Sequence, residues 1–321
     1  MKLWKQILRK NFTDIKKLCS FLQLDSYTIA KILKTPKFSL NLPLRLAQKI
    51  SKSTLEDPLL KQFLPLSLES ITSKKFALDP VKDQSFRKEK KLLQKYKGRS
   101  LLLATSACAM HCRFCFRQNF PYEKKISDFS DELKRIAGQK EINEIILSGG
   151  DPLSLDDTKL QQLIQDLNTI PHIKRLRFHT RFPIGIPERI DESFLSCLAS
   201  SKQQIYFVLH VNHPKELDND VFFHLKKLQA LGVVLLSQSV LLKEINDDVK
   251  TLSHLFESLS DHGIIPYYLH RLDKIQGGAH FEVDTKKGIE LIQKLRNHLS
   301  GYSVPRFVEE VPGHLSKDIL I

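Results

Sequence analysis

Six short apolar segments dominate the chain from Tyr96 onward, each followed by a polar loop and then a helical pattern, and they restrict its fold more than any other feature. They run Leu101 to Ala104, Glu144 to Leu147, Arg175 to His179, Ile205 to Val211, Val233 to Ser237 and Ile265 to His270. Between them apolar residues return at helical spacing, as with Leu160, Leu163, Ile164 and Leu167 at i, i+3, i+4 and i+7. Repeated βα units imply an all-parallel sheet with its helices outside. Eight units close a barrel, so six predict an α/β fold that is a partial, TIM-like (βα)6 barrel. Residues 1–92 read differently, as a helical N-terminal region: Trp4, Ile7 and Leu8, then Ile15, Leu18 and Leu22, recur at helical spacing, and Pro43, Pro58 and Pro80 punctuate the remainder of this stretch. The expected division is therefore 1–92 for the helical extension and 93–321 for the barrel and its C-terminal segment.

Chemistry in such folds gathers at the carboxyl ends of the strands. The first strand runs into Cys108, Cys112 and Cys115, in TSACAMHCRFCFRQ. Three thiolates on a four-iron cubane leave one iron open, whereas ordinary ferredoxin clusters carry four. An open iron can chelate the amine and carboxylate of S-adenosylmethionine (SAM), which is the arrangement of radical SAM enzymes. A Cys3His zinc site including His111 is an alternative, although structural zinc commonly draws its second ligand pair from a separate segment. A disulfide fits less well with five cysteines and no secretory signal. Cys19 and Cys197 lie on apolar-periodic segments and read as buried thiols. The second strand ends in Ser148, Gly149, Gly150 and Asp151, where glycines allow close backbone approach. There the turn could meet the amine of SAM, with Asp151 holding the turn. Later strands run into His179 and Arg181, His210 and His213, Gln238, then His270 and Asp273.

The 321 residues suffice for one large domain with an appendage. No apolar run approaches the roughly 18 residues of a membrane span, so a cytoplasmic protein without a membrane partner is expected. The formal charge of +14 suits acidic partners, or is simply a lysine-rich solvated surface.

With both motifs placed, the chain resembles the lysine 2,3-aminomutase family of radical SAM, pyridoxal-phosphate (PLP) enzymes, and within it the bacterial branch that serves elongation factor P. The phrases DPLLKQFLP, CRFCFRQNFPY, IILSGGDPL, PHIKRLRFHTRFPIGIPERI, QSVLLKEIND, PYYLHRLDKIQGGAHF and SGYSVP carry the resemblance over nearly the whole length. It implies a [4Fe-4S] cluster on Cys108, Cys112 and Cys115, SAM at Ser148 to Asp151, and PLP carried on Lys317 with Tyr96 and Arg99 near its phosphate. It further implies that Arg117 meets the substrate carboxylate and that Asp273 and Glu310 meet the side-chain ammonium of lysine. Gly313-His314-Leu315-Ser316 replaces the glycine-rich run of the free-lysine enzymes, and the chain stops at Ile321 without their long C-terminal extension. Both departures favour the elongation-factor branch.

The expected activity is an isomerase reaction, L-α-lysine to (R)-β-lysine, for modification of elongation factor P. Its expected partners are that factor, its lysine ligase and a reductant such as flavodoxin or ferredoxin, with homo-oligomer formation possible. A free-lysine aminomutase of amino-acid metabolism is the alternative. A glutamate aminomutase conflicts with two acids at the distal recognition positions. An RNA-modifying radical SAM enzyme would need a nucleic-acid module, and residues 1–92 carry no aromatic-rich signature of one.

Overall fold

The computed structural model describes residues 1–123 and 128–321. Parallel strands run side by side in chain order: β1 (Arg99–Thr105), β2 (Glu144–Gly149), β3 (Arg175–Thr180), β4 (Gln204–His210), β5 (Val234–Val240), β6 (Ile265–His270) and β7 (Arg306–Glu309). All six expected segments are strands, and β7 adds a seventh that apolar patterning passes over. The sheet stays an open barrel because its two edges turn to antiparallel neighbours. β1 pairs with the short strand Leu92–Leu93, and β7 pairs with Asp318–Ile319.

Crossover helices α1 (Ser130–Gly138), α2 (Asp157–Asn168), α3 (Glu192–Ala199), α4 (Asn219–Ala230), α5 (Val249–Asp261) and α6 (Thr285–Arg296) cover the outer face. Four of them start at an aspartate whose carboxylate accepts a backbone N–H that would otherwise lack a partner. Asp191 accepts from Phe194, Asp218 from Val221, Asp248 from Thr251 and Asp284 from Lys286.

Side chains alternate across the sheet with a period of two, and this sorts the protein's chemistry. Leu102, Leu147, Phe178, Phe207 and Leu235 stand in register on neighbouring strands and are buried under the helices. The Phe178 and Phe207 rings stack at 4.7 Å. The opposite, concave face carries Glu144 and Ser148 on β2, Arg175, Arg177 and His179 on β3, Tyr206 and His210 on β4, and Gln238 on β5.

The N-terminal residues pack in two places. Helix Leu3–Leu8 buries Trp4 among the barrel helices, its ring edge-on to Phe182 at 5.6 Å and 4.9 Å from the fully buried Arg189 guanidinium. Helices Ile15–Phe21, Leu44–Gln48 and Pro58–Phe63 gather a separate core around Leu18, Leu42, Leu46, Leu60 and Phe63, and this core reaches Met110 in the cysteine loop. Residues 77–96 then cross the open side. Ala77 bonds with Lys274 and Gln276 beyond β6, Leu92–Leu93 lines β1, and Lys95 and Tyr96 reach Glu310 beyond β7. Among the described residues no helix is long and apolar enough to cross a membrane.

Trp4 is the side chain that fixes the first helix to the barrel. Trp4→Ala should cost about 3–5 kcal/mol of stability, read as a lower midpoint in urea unfolding; an unchanged midpoint would refute the anchoring.

Candidate active site

The carboxyl ends of the strands and the segment closing the open side surround one cavity of about 590 Å³. Cys108, Cys112, Cys115, Ser148, Gly149, Gly150, Asp151, Tyr96, Arg99, Arg117, Asp273, Glu310 and Lys317 all line it. Residues more than 200 positions apart therefore share one wall.

The cysteine loop and the glycine turn are built against each other. Gly150 N–H donates to Thr105 O at 2.7 Å and Asp151 N–H to Ala107 O at 2.8 Å. Gly149 has φ of 114°, and a Cβ on Gly150 would lie 2.3 Å from Ala107 O, so both positions require glycine. Those two amides are consequently occupied, leaving the carbonyls of the turn as the groups able to meet an ammonium. The Asp151 carboxylate holds the turn: it accepts from Thr180 Oγ1 and from the backbone N–H groups of Leu153, Arg181 and Phe182.

The three cysteines are free thiols. Burial pushes all of them up, Cys115 to about 11 and Cys108 well above the ordinary thiol value. A metal must therefore displace their protons on binding. Soft sulfur ligands on one loop suit an iron–sulfur cluster. Among the described residues no three His, Cys, Asp or Glu side chains converge on a single ion; a cubane takes each thiolate on a different iron. His111, the alternative zinc ligand, is engaged elsewhere: its ring stacks on Phe38 at 4.6 Å and its Nδ1 meets Ser39 O at 2.9 Å. In the same cavity, the Nε2 atoms of His179 and His210 are buried without a hydrogen-bond partner among the described residues. Burial holds both imidazoles neutral, His210 with a pKa of about 3.

At the other side of the cavity a chain of charges links the remaining residues. Arg117 donates from Nε to Asp83 at 2.7 Å and from Nη1 to Ser148 Oγ at 3.1 Å. Lys95 bridges Asp83 (2.8 Å) and Glu310 (3.4 Å). Glu310 also accepts from Tyr96 OH at 2.8 Å and pairs with Lys317 Nζ. Burial would raise the Asp83 and Glu310 carboxyls, but Arg117 and Lys95 beside Asp83, and Lys317 and Lys95 beside Glu310, outweigh it and hold both below their ordinary values. Asp273 differs. Its carboxylate has no hydrogen-bond or ion-pair partner among the described residues, and burial pushes it up to about 6. Arg99 lies with its guanidinium 4.6 Å from the Tyr96 ring and has no acidic partner among the described residues, which leaves it available to an anion.

Lys317 reaches the cavity through a hairpin. Glu310 leaves the end of β7, residues 311–316 turn, and Asp318–Ile319 returns antiparallel, with Asp318 opposite Glu309. The ammonium is thereby set beside Glu310.

A family model described as a 4Fe-4S single cluster domain matches residues 97–178, the stretch that contains the three cysteines. An L-lysine 2,3-aminomutase of Haemophilus influenzae is 40% identical over 321 residues, covering 98% of this chain and 95% of that protein. The chain belongs to the lysine 2,3-aminomutase family. A family member from Escherichia coli is also 40% identical, over 98% of this chain and 93% of its own length. One from Clostridium subterminale is 31% identical over 97% of this chain and 76% of its own.

Two cavity residues, Asp83 and Lys95, escape sequence reasoning altogether, because nothing in their spacing points to Arg117 or Glu310. Arg181 is visible only as a strand-end residue, yet its Nη1 lies 2.8 Å from Cys112 Sγ.

The contact between glycine turn and cysteine loop can be tested directly. Gly150→Ala should cut iron and sulfide uptake to below half while leaving far-ultraviolet circular dichroism unchanged; full uptake would refute the contact's importance.

Proposed function

We propose that this lysine 2,3-aminomutase family member converts L-α-lysine to (R)-β-lysine, and that the product is destined for elongation factor P. The observation carrying this reading is that an unpaired acid, a fixed guanidinium, a lysine amine and three thiols face one cavity. The residues fit a [4Fe-4S] cluster on Cys108, Cys112 and Cys115. The Ser148–Asp151 turn would hold SAM, and Lys317 would carry PLP, with Tyr96 and Arg99 the residues for its phosphate. When bound, the cluster and SAM supply radical chemistry, and PLP supplies the aldehyde that carries the migrating nitrogen.

The protein's share is positioning. Asp83 and Ser148 pin Arg117, whose remaining N–H groups offer a bidentate edge to the substrate carboxylate. Asp273 offers the distal ammonium an otherwise unshared carboxylate. Glu310, across the hairpin, contacts Lys317 Nζ and holds that amine in place beside the cavity. His179 and His210 add no charge of their own, while Lys95, Arg99, Arg177 and Lys317 line the cavity along with Arg117, Asp273 and Glu310.

Anaerobically reconstituted protein, reduced and given SAM, PLP and α-lysine, should form β-lysine. Adding elongation factor P and its ligase should move the product onto the factor. Absence of β-lysine would overturn the reading, and free β-lysine that the ligase ignores would favour a metabolic role. Borohydride reduction and peptide mapping should find pyridoxyl on Lys317; finding it on another lysine would displace that assignment.

Asp273 makes substrate binding depend on pH. With its pKa near 6 in the free protein, the acid is neutral below that value and charged above it. Lysine affinity should therefore strengthen as pH rises from 5 to 7. Asp273→Asn should flatten the profile and raise KM about 10- to 100-fold, the loss of a charge-assisted hydrogen bond of roughly 1.5–3 kcal/mol. A profile unchanged by the substitution would refute the ammonium role.

A further inference from the structure

We infer that Arg181 sets the reduction potential of the cluster by placing a buried, hydrogen-bonded positive charge on the thiolate of Cys112. This role rests on the proposed function only in requiring a cluster at that cysteine.

Arg181 leaves the end of β3 and points beneath the cysteine loop. Its Nη1 lies 2.8 Å from Cys112 Sγ, while Nη2 donates to Glu216 Oε2 at 2.8 Å and to Gln62 Oε1 at 2.6 Å. Gln62 and Glu216 are completely buried and Arg181 nearly so, and the guanidinium lies 4.9 Å from the Phe63 ring. Gln62 and Phe63 come from a helix of the N-terminal region, so the guanidinium is clamped from two parts of the chain. Asn212 strengthens the clamp, donating its side-chain amide to Gln62 and its backbone N–H to Glu216. A structural role for Arg181 would be met by Glu216 and Gln62 alone. The third contact aims a fixed donor at the sulfur.

Hydrogen bonds to cluster sulfurs and local net charge are the levers by which a protein moves an iron–sulfur potential. Reduction adds one electron from a low-potential reductant to the cluster, with no bond formed or broken. The product is the more negative state, and a cation in a water-poor site stabilises it more than the oxidised state. Glu216 opposes this, because its negative charge sits behind the guanidinium.

The test is a redox titration of reconstituted protein, poised with mediators and followed by electron paramagnetic resonance. Arg181→Gln should lower the equilibrium constant for reduction at least tenfold, a fall of about 59 mV for a one-electron couple. Arg181→Lys, which keeps the charge, should recover at least half of that shift, and Glu216→Gln should move the midpoint the opposite way. An unmoved midpoint overturns the inference. So does an equal shift in the glutamine and lysine variants, or a failure of both to take up a cluster, which would assign Arg181 to architecture. If wild-type protein itself takes up no four-iron cluster, the failure lies with the cluster reading instead.

Discussion

Two backbone hydrogen bonds, Gly150 to Thr105 and Asp151 to Ala107, hold the molecule's chemistry in one place. They lock the loop leaving β1 onto the turn leaving β2, at a separation no side chain could tolerate. Everything else at the rim is referred to that junction. Asp151 extends it to the start of the next unit through Thr180, Arg181 and Phe182, and Arg117 extends it outward by donating to Ser148. The parallel sheet brings strand ends to one rim. The junction turns nearness into a fixed arrangement.

A second feature is the way charge is distributed around the cavity. Arg117, Asp83, Lys95, Glu310 and Lys317 alternate in sign along one wall, each contacting the next. An isolated buried charge is costly, and removing one member of a buried pair strands its partner. Alternation spreads that cost and keeps Asp83 and Glu310 ionised despite their burial. Asp273 lies outside the chain of contacts. Burial raises its pKa, and the Lys317 and Lys95 ammoniums offset that only in part.

Much of the barrel is legible in the residues because β1 to β6 each carry four or more apolar or alternating positions between helical stretches. β7 is not. Arg306–Glu309 has only Phe307 and Val308 as an apolar pair behind Pro305, and so short a run cannot be told from a loop. The cysteines, the glycine turn and Asp273 announce themselves by lying at strand ends. Glu310 and Lys317 do not, since only the return of Asp318–Ile319 against β7 brings that lysine inward, and resemblance to the family is what singles it out. Asp83 and Lys95 lie beyond both kinds of signal. They reach the cavity through a connecting segment whose course across the open side depends on the whole fold.

The concave face of a closed eight-stranded barrel is ordinarily filled with branched aliphatic side chains. Here its floor holds Glu144 between Arg175 and Arg177, with Tyr206 beside them. Such a floor sets paired charges among apolar side chains such as Leu101, Ile146 and Leu236, so the interior is of mixed character. A guest can then bury its carbon skeleton against the apolar patches, but must match the fixed donors and acceptors wherever it covers them. Discrimination in such a chamber falls to the few polar contacts, whereas the apolar lining adds grip without choice.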